Sequence, residues 1–159
     1  MTKRQYSFAY EHFATAEELT EQDRELIEKA TDAAKNAYAP YSNFSVGASV
    51  LLDNGTIVTG NNQENAAYPS GLCAERVALF YANANYPENA VKTIAVVAMK
   101  NNELVSSEVA PCGSCRQVIL ETETRFKSPI KMIMGGKSGF NIINNATELL
   151  PLSFTGDSL

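Results

Sequence analysis

Histidine, the commonest metal ligand and proton carrier among side chains, occurs once in this chain, as His12. Cysteine is scarce too, and its total of three is odd, which argues against a disulfide framework. With no fourth cysteine and only the distant His12, a closed four-ligand structural metal site lacks a member. Cations are outnumbered: 13 Lys and Arg face 18 Asp and Glu, for a formal net charge of -5. That balance repels phosphate backbones and offers no polybasic patch to a lipid surface, so neither nucleic acid nor membrane is an expected partner. Long apolar runs are missing as well. A stretch such as Ile94 to Met99 falls far short of the ~20 residues that span a bilayer. The charged opening Met1-Thr2-Lys3-Arg4-Gln5 is not followed by an apolar segment, so no secretion signal is read there. The expected location is cytoplasmic, where thiols stay reduced.

What is present is a globular composition over 159 residues, enough for one domain with a real core. Internal repeats and low-complexity segments are absent. Residues 1–19 show no period and read as an N-terminal arm of unassigned role, ahead of a domain spanning 20–159. Thr20 is placed to cap a helix whose apolar face is Leu26, Ile27, Ala30, Ala34 and Ala37. Tyr38-Ala39-Pro40 should end it, because the residue before a proline resists the α region. Ser45–Leu52 and Thr56–Thr59 read as a hairpin joined through Asp53-Asn54-Gly55. A second helix is expected over Leu72–Ala84, with Val77, Ala78, Phe80 and Tyr81 against a sheet. Val91–Met99 reads as a buried strand, Pro111–Thr122 as a third helix and Ile130–Met134 as a fourth strand. A tight return through Gly135–Gly139 leads to Phe140–Ile143, followed by a short helix near Ala146–Leu150. The order implies a three-layer α/β/α domain around a five-stranded mixed sheet. Its last two strands should be antiparallel, since the turn between them is too short for a crossover.

All three cysteines lie in two clusters, Leu72-Cys73-Ala74-Glu75-Arg76 and Pro111-Cys112-Gly113-Ser114-Cys115-Arg116. Each cluster falls at an expected helix N-terminus, where the helix dipole and free N–H groups favour thiolate over thiol. Three thiolates around one Zn²⁺ leave the fourth tetrahedral position open, as a catalytic site requires. Zinc lowers the pKa of its bound water and makes a nucleophile near neutral pH. Glu75, two residues after Cys73, is placed to reach that water and move its protons. Cysteines beside such a glutamate are the established signature of zinc deaminases, the three-cysteine variant included. Three thiolates over-neutralise the metal, and a cation beside the sulfurs would correct this. Arg76 and Arg116 are the candidates. Other readings stand beside this one: a Cys-x-x-Cys pair also serves redox chemistry, and a lone cysteine in an apolar helix is usually a core residue.

At these clusters the chain resembles the cytidine deaminase family, in its small homotetrameric branch. The resemblance runs from about Tyr38 to the end. Besides the cysteine clusters it rests on Pro40-Tyr41-Ser42-Asn43-Phe44-Ser45-Val46-Gly47-Ala48, on Asn62-Gln63-Glu64-Asn65-Ala66-Ala67-Tyr68 and on Glu148-Leu149-Leu150-Pro151-Leu152-Ser153-Phe154. It implies hydrolytic deamination of cytidine and deoxycytidine in pyrimidine salvage, zinc hydroxide attacking C4 with Glu75 as proton shuttle and one zinc per chain. It further implies that Asn62 and Glu64 bind the ribose 3′-hydroxyl, as a buried amide and carboxylate. Phe44 would pack on the pyrimidine, Ala66 would offer its backbone to the base carbonyl, and Arg76 would hydrogen-bond the thiolates. Tyr68 and Phe154 would reach a neighbouring subunit's nucleoside, so the sites of a homotetramer would be shared. The Asn-x-Glu-Asn element and the antiparallel last hairpin separate nucleoside deaminases from those acting on nucleic acids. Asn61 stands where the family commonly has cysteine, Gln63 replaces an aliphatic, and the arm is longer than in compact members. A deaminase of a nucleoside-like antibiotic would share the zinc clusters without needing Asn62 and Glu64. A zinc-dependent binding module would not need Glu75.

Overall fold

The computed structural model describes residues 1–159. Thr20 caps the first helix as expected: its hydroxyl accepts from Asp23 N at 3.2 Å and opens α1, Glu21–Ala34. Leu26, Ile27, Ala30 and Ala34 form its buried face. The helix stops at Ala34, before the Tyr38-Ala39-Pro40 signal, and Ala37 sits half-buried in the turn that follows.

The hairpin forms from β2, Ser45–Leu52, and β3, Ile57–Asn61. Gly55 takes φ 84° at the tip, and Asn54 Oδ1 accepts from Thr56 N at 2.9 Å. An Asn-Gly pair suits a three-residue hairpin loop for this reason: the amide closes the turn and glycine carries the left-handed conformation. The second helix, α2, covers Ala74–Asn85 and leads to β4, Val91–Lys100. The third, α3, covers Gly113–Phe126, and the last hairpin pairs β6, Lys131–Gly136, with β7, Gly139–Ile143. Only Lys137 and Ser138 separate β6 from β7, and the two strands are antiparallel as expected.

The sheet has seven strands, not five. The five expected strands are all present, and two short ones join them. β1, Glu11–Phe13, comes from the arm and pairs with β7, while β5, Glu103–Leu104, pairs with the end of β4. The order along the sheet is β1-β7-β6-β4-β2-β3. One core layer packs α1 on one face through residues such as Leu26, Ile27, Val97 and Ile133. The other face carries α2 and α3 over Val50, Ile94, Val96 and Met132.

The buried face of α2 is Ala74, Glu75, Ala78, Leu79 and Ala82. Val77 is half-buried, and Phe80 and Tyr81 are 46% and 55% exposed, so the expected aromatic contact with the sheet is not made. The helix instead lies close on small residues. A Cβ on Gly60 of β3 would sit 2.6 Å from Ala78 N and 2.7 Å from Ala74 O.

On the opposite face Gly47 is tighter still, because a Cβ there would lie 1.9 Å from the Ala30 carbonyl oxygen. Neither group is a flexible side-chain end, so backbone must move. Gly47→Ala should therefore lower stability by about 1–3 kcal/mol, read as a reduced denaturation midpoint. An unchanged midpoint would show that α1 does not hold this distance from β2.

Candidate active site

β3 runs antiparallel to β2, and β2 runs antiparallel to β4. β3 and β4 therefore point the same way, and each feeds a helix on the same face of the sheet. That arrangement brings the N-termini of α2 and α3 together beyond the carboxyl ends of those strands, where α/β folds place ligands. Cys73 is the N-cap residue of α2 and Cys112 that of α3, and Cys115 lies in the first turn of α3. Neither N-cap thiol is spent on capping its own helix. Both are free to face the gap between the two ends.

The three sulfurs lie within 4.8 Å of one another. Cys73 Sγ is 3.7 Å from Cys112 Sγ, which is 3.5 Å from Cys115 Sγ. No disulfide joins them. Cys115 is buried, Cys73 half-buried and Cys112 exposed. Hydrogen bonding from Cys115 holds the Cys73 thiol down at about 5 against its burial, with Arg76 and Cys112 adding to the lowering. The Cys115 thiol is pushed well up, first because its proton is engaged with Cys73 and then by burial. Arg76 donates to Cys73 Sγ at 3.8 Å, and this bond raises the guanidinium's own pKa. Arg76 Nε is buried with no partner. A buried orphan donor costs about 1–3 kcal/mol, and negative charge on adjacent sulfur is what makes its place beside the trio favourable.

These residues fit zinc. The donor set is three soft sulfurs with no carboxylate among them, suited to a tetrahedral ion with one position left over. Arg76 stands where a cation could compensate so many thiolates, its guanidinium within hydrogen-bond reach of Cys73 Sγ. Arg116 does not. Its Nε donates to the Pro111 carbonyl at 2.8 Å and its Nη1 to the Leu149 carbonyl at 2.9 Å, so its donors engage carbonyls and no sulfur.

Cys73, Cys112, Glu75 and Arg76 line a cavity of about 630 Å³, a volume suited to a small ligand. Glu75 is only 4% exposed, and burial raises its pKa above the usual carboxylate value. Phe44, Asn62, Glu64 and Tyr68 share the cavity wall. Asn62 Oδ1 accepts from Val46 N at 2.7 Å and its Nδ2 donates to the Phe44 carbonyl at 3.0 Å. The side chain thus extends the β2–β3 pairing by one step and fixes Phe44.

Glu64 Oε2 accepts from Tyr41 N at 2.9 Å, and its Oε1 from the Ser42 hydroxyl. These bonds, Ser42's foremost, lower its pKa. Asn62 and Glu64 are half-buried, where full burial was expected. Ala66 is exposed and outside the wall, and Phe154, 60% exposed, lies outside it too. Ser42, Val109 and Ala110 belong to the site region without having been singled out. Ser42 lies inside the quoted Pro-Tyr-Ser-Asn-Phe run, where its hydroxyl was the available signal.

Residues 20–127 match the family model of the cytidine and deoxycytidylate deaminase zinc-binding region. A cytidine deaminase of Halalkalibacterium halodurans is 38% identical over 134 residues, which cover 84% of this chain and 95% of that protein. A cytidine deaminase of Mycobacterium tuberculosis is 42% identical over 92 residues, 58% of this chain and 65% of that one. Among solved structures, cytidine deaminase from Burkholderia pseudomallei superposes with a TM-score of 0.71 at 37% identity, covering 86% of this chain and 100% of that one. The Mycobacterium tuberculosis enzyme gives 0.66 at 32% identity, over 86% and 98%.

Because the trio is assembled from two helix ends, removing any one sulfur should cost the metal without unfolding the sheet. Cys73→Ala, Cys112→Ala and Cys115→Ala should each bind less than a tenth of the zinc held by the parent protein, with far-UV circular dichroism unchanged. Full zinc occupancy in any of the three variants would exclude that residue as a ligand.

Proposed function

The chain belongs to the cytidine and deoxycytidylate deaminase family and is an enzyme that deaminates cytidine, and from that premise we propose how its own residues perform the reaction. The observation that carries the reading is the sulfur trio beside a buried carboxylate at one cavity wall. Cys73, Cys112 and Cys115 hold one zinc per chain. When bound there, zinc supplies a Lewis acid that activates water near neutral pH.

The net reaction adds water at C4 of the pyrimidine and releases ammonia, converting cytidine to uridine and deoxycytidine to deoxyuridine. Glu75 accepts one proton from the water and delivers it to the ring nitrogen N3. It then takes the second from the hydroxyl now on C4 and passes it to the amine, which departs as ammonia while the C4 carbonyl forms. A carboxyl whose pKa burial has raised suits this duty, because it holds a proton more readily than an exposed carboxylate does. Arg76 keeps charge balanced at the sulfurs.

Phe44 packs on the pyrimidine, and the backbone of Ala66 meets the base carbonyl. Asn62 and Glu64 bind the sugar 3′-hydroxyl; an acceptor already locked by Ser42 and Tyr41 is oriented before substrate arrives. Residues 20–159 form the catalytic domain of a homotetramer. Tyr68 and Phe154, both strongly exposed in the single chain, reach a neighbouring subunit's site. Three free thiols suit a reducing compartment, and the proposed setting is pyrimidine salvage in the cytoplasm. No helix is long and apolar enough to cross a membrane.

Two measurements test this reading. Glu75→Gln keeps the shape of the side chain but cannot cycle a proton, so it should retain zinc and lose cytidine turnover by at least ~100-fold. Turnover within tenfold of the parent would move the proton carrier elsewhere. Ammonia release across a panel of bases and nucleosides tests the sugar contacts. Free cytosine should be a far poorer substrate than cytidine, because it leaves Asn62 and Glu64 without their hydroxyl partner. Equal efficiency on base and nucleoside would contradict the role given to those two residues.

A further inference from the structure

Three side-chain donors from two distant parts of the chain, the N-terminal arm and α3, end on carbonyls of one C-terminal segment. Tyr6 Oη donates to the Glu148 carbonyl at 2.8 Å, Arg116 Nη1 to the Leu149 carbonyl at 2.9 Å, and Gln117 Nε2 to the Phe154 carbonyl at 2.9 Å. Glu148 and Leu149 close the 3₁₀ turn Ala146–Leu149. The last carbonyls of a helical turn have no partner within it, and Tyr6 and Arg116 supply one to each. Beyond the turn the backbone is irregular, with Leu152 at φ 55°, a conformation that persists only where its surroundings impose it.

Arg116 also reaches the other way. Its Nε–Pro111 bond fixes the residue immediately before Cys112, so one planar guanidinium joins the cysteine loop to the C-terminal segment. Gln117 follows directly and holds the same segment six residues from its first anchor. Neither residue lines the cavity.

We propose that Tyr6, Arg116 and Gln117 form a clamp that fixes residues 148–154 and so sets where Phe154 is presented to the neighbouring site. The proposal rests on the reading of Phe154 given above. All three are positioning residues, acting through Phe154 without touching the nucleoside. The N-terminal arm thereby gains a task. β1 anchors it to the sheet edge through β7, and Tyr6 then closes the clamp from outside the family-like region.

The test is a double-mutant cycle on full-length, zinc-loaded protein. Gln117→Leu should raise KM for cytidine about fivefold, the worth of one net hydrogen bond, with kcat and zinc content within twofold of the parent. In a Phe154→Ala background the same substitution should leave KM unchanged, because nothing remains to be positioned. Tyr6→Phe removes one surface hydroxyl and leaves the core intact. Carried through the same two backgrounds, it should raise KM about twofold only where Phe154 is present, and it decides the matter should Gln117→Leu fail to fold. A parental KM in the clamp variants, or a shift that persists in full without Phe154, overturns the clamp. Phe154→Ala at parental KM would instead overturn the role of Phe154, and the clamp's purpose with it.

Discussion

Two strands pointing the same way are the constraint from which the site follows. β3 and β4 are separated by β2, which runs against both, so their carboxyl ends lie at one edge of the sheet. The helices they feed start at that edge and on the same face. Cys73 and Cys112 occupy the two N-caps, and Cys115 is one turn further along. Were either strand reversed, its cysteine would sit at the opposite edge and no trio would form. The convergence also sums two positive helix ends and the Arg76 guanidinium on one point, which makes three close sulfurs tolerable.

The rest of the site follows from how tightly α2 lies on the sheet. Ala74 and Ala78 against Gly60 draw the helix in, and the same packing carries Glu75 into a buried position where its charged form is disfavoured. Opposite it, Asn62 prolongs the β2–β3 pairing with a side-chain amide in place of backbone. One residue thereby ends the hairpin and builds the cavity wall. Glu64 reaches the same wall through Ser42 and Tyr41. Stability and site geometry here share the same contacts, so polar side chains near the cavity have structural work as well as chemical work.

Much of this was legible in the residues because the signals were local. Asp53-Asn54-Gly55 defines its own turn, Thr20 its own cap, and the cysteine clusters mark two helix starts wherever those helices end up. The features that escaped depend on partners distant in the chain. Glu11–Phe13 has no apolar alternation because an edge strand is held to β7 by backbone bonds, which leave no trace in side-chain pattern. β5 is two residues long, shorter than any periodicity. Phe80 and Tyr81 look like core residues by type, yet the close approach at Gly60 puts the small face of α2 inward and leaves both rings exposed. Arg116 adjoins Cys115 in sequence, but one residue along a helix is a turn of about 100°, and its guanidinium serves the Pro111 and Leu149 carbonyls.

The proposed metal site is open and draws its protein ligands from Cys73, Cys112 and Cys115 and no other residue. Zinc-edge X-ray absorption on the active enzyme, with zinc quantified per chain in the same sample, tests it most directly. One zinc per chain with three sulfur neighbours and one lighter neighbour is the expected result. Four sulfur neighbours, a nitrogen-rich shell, or full cytidine turnover in protein stripped of zinc would contradict it.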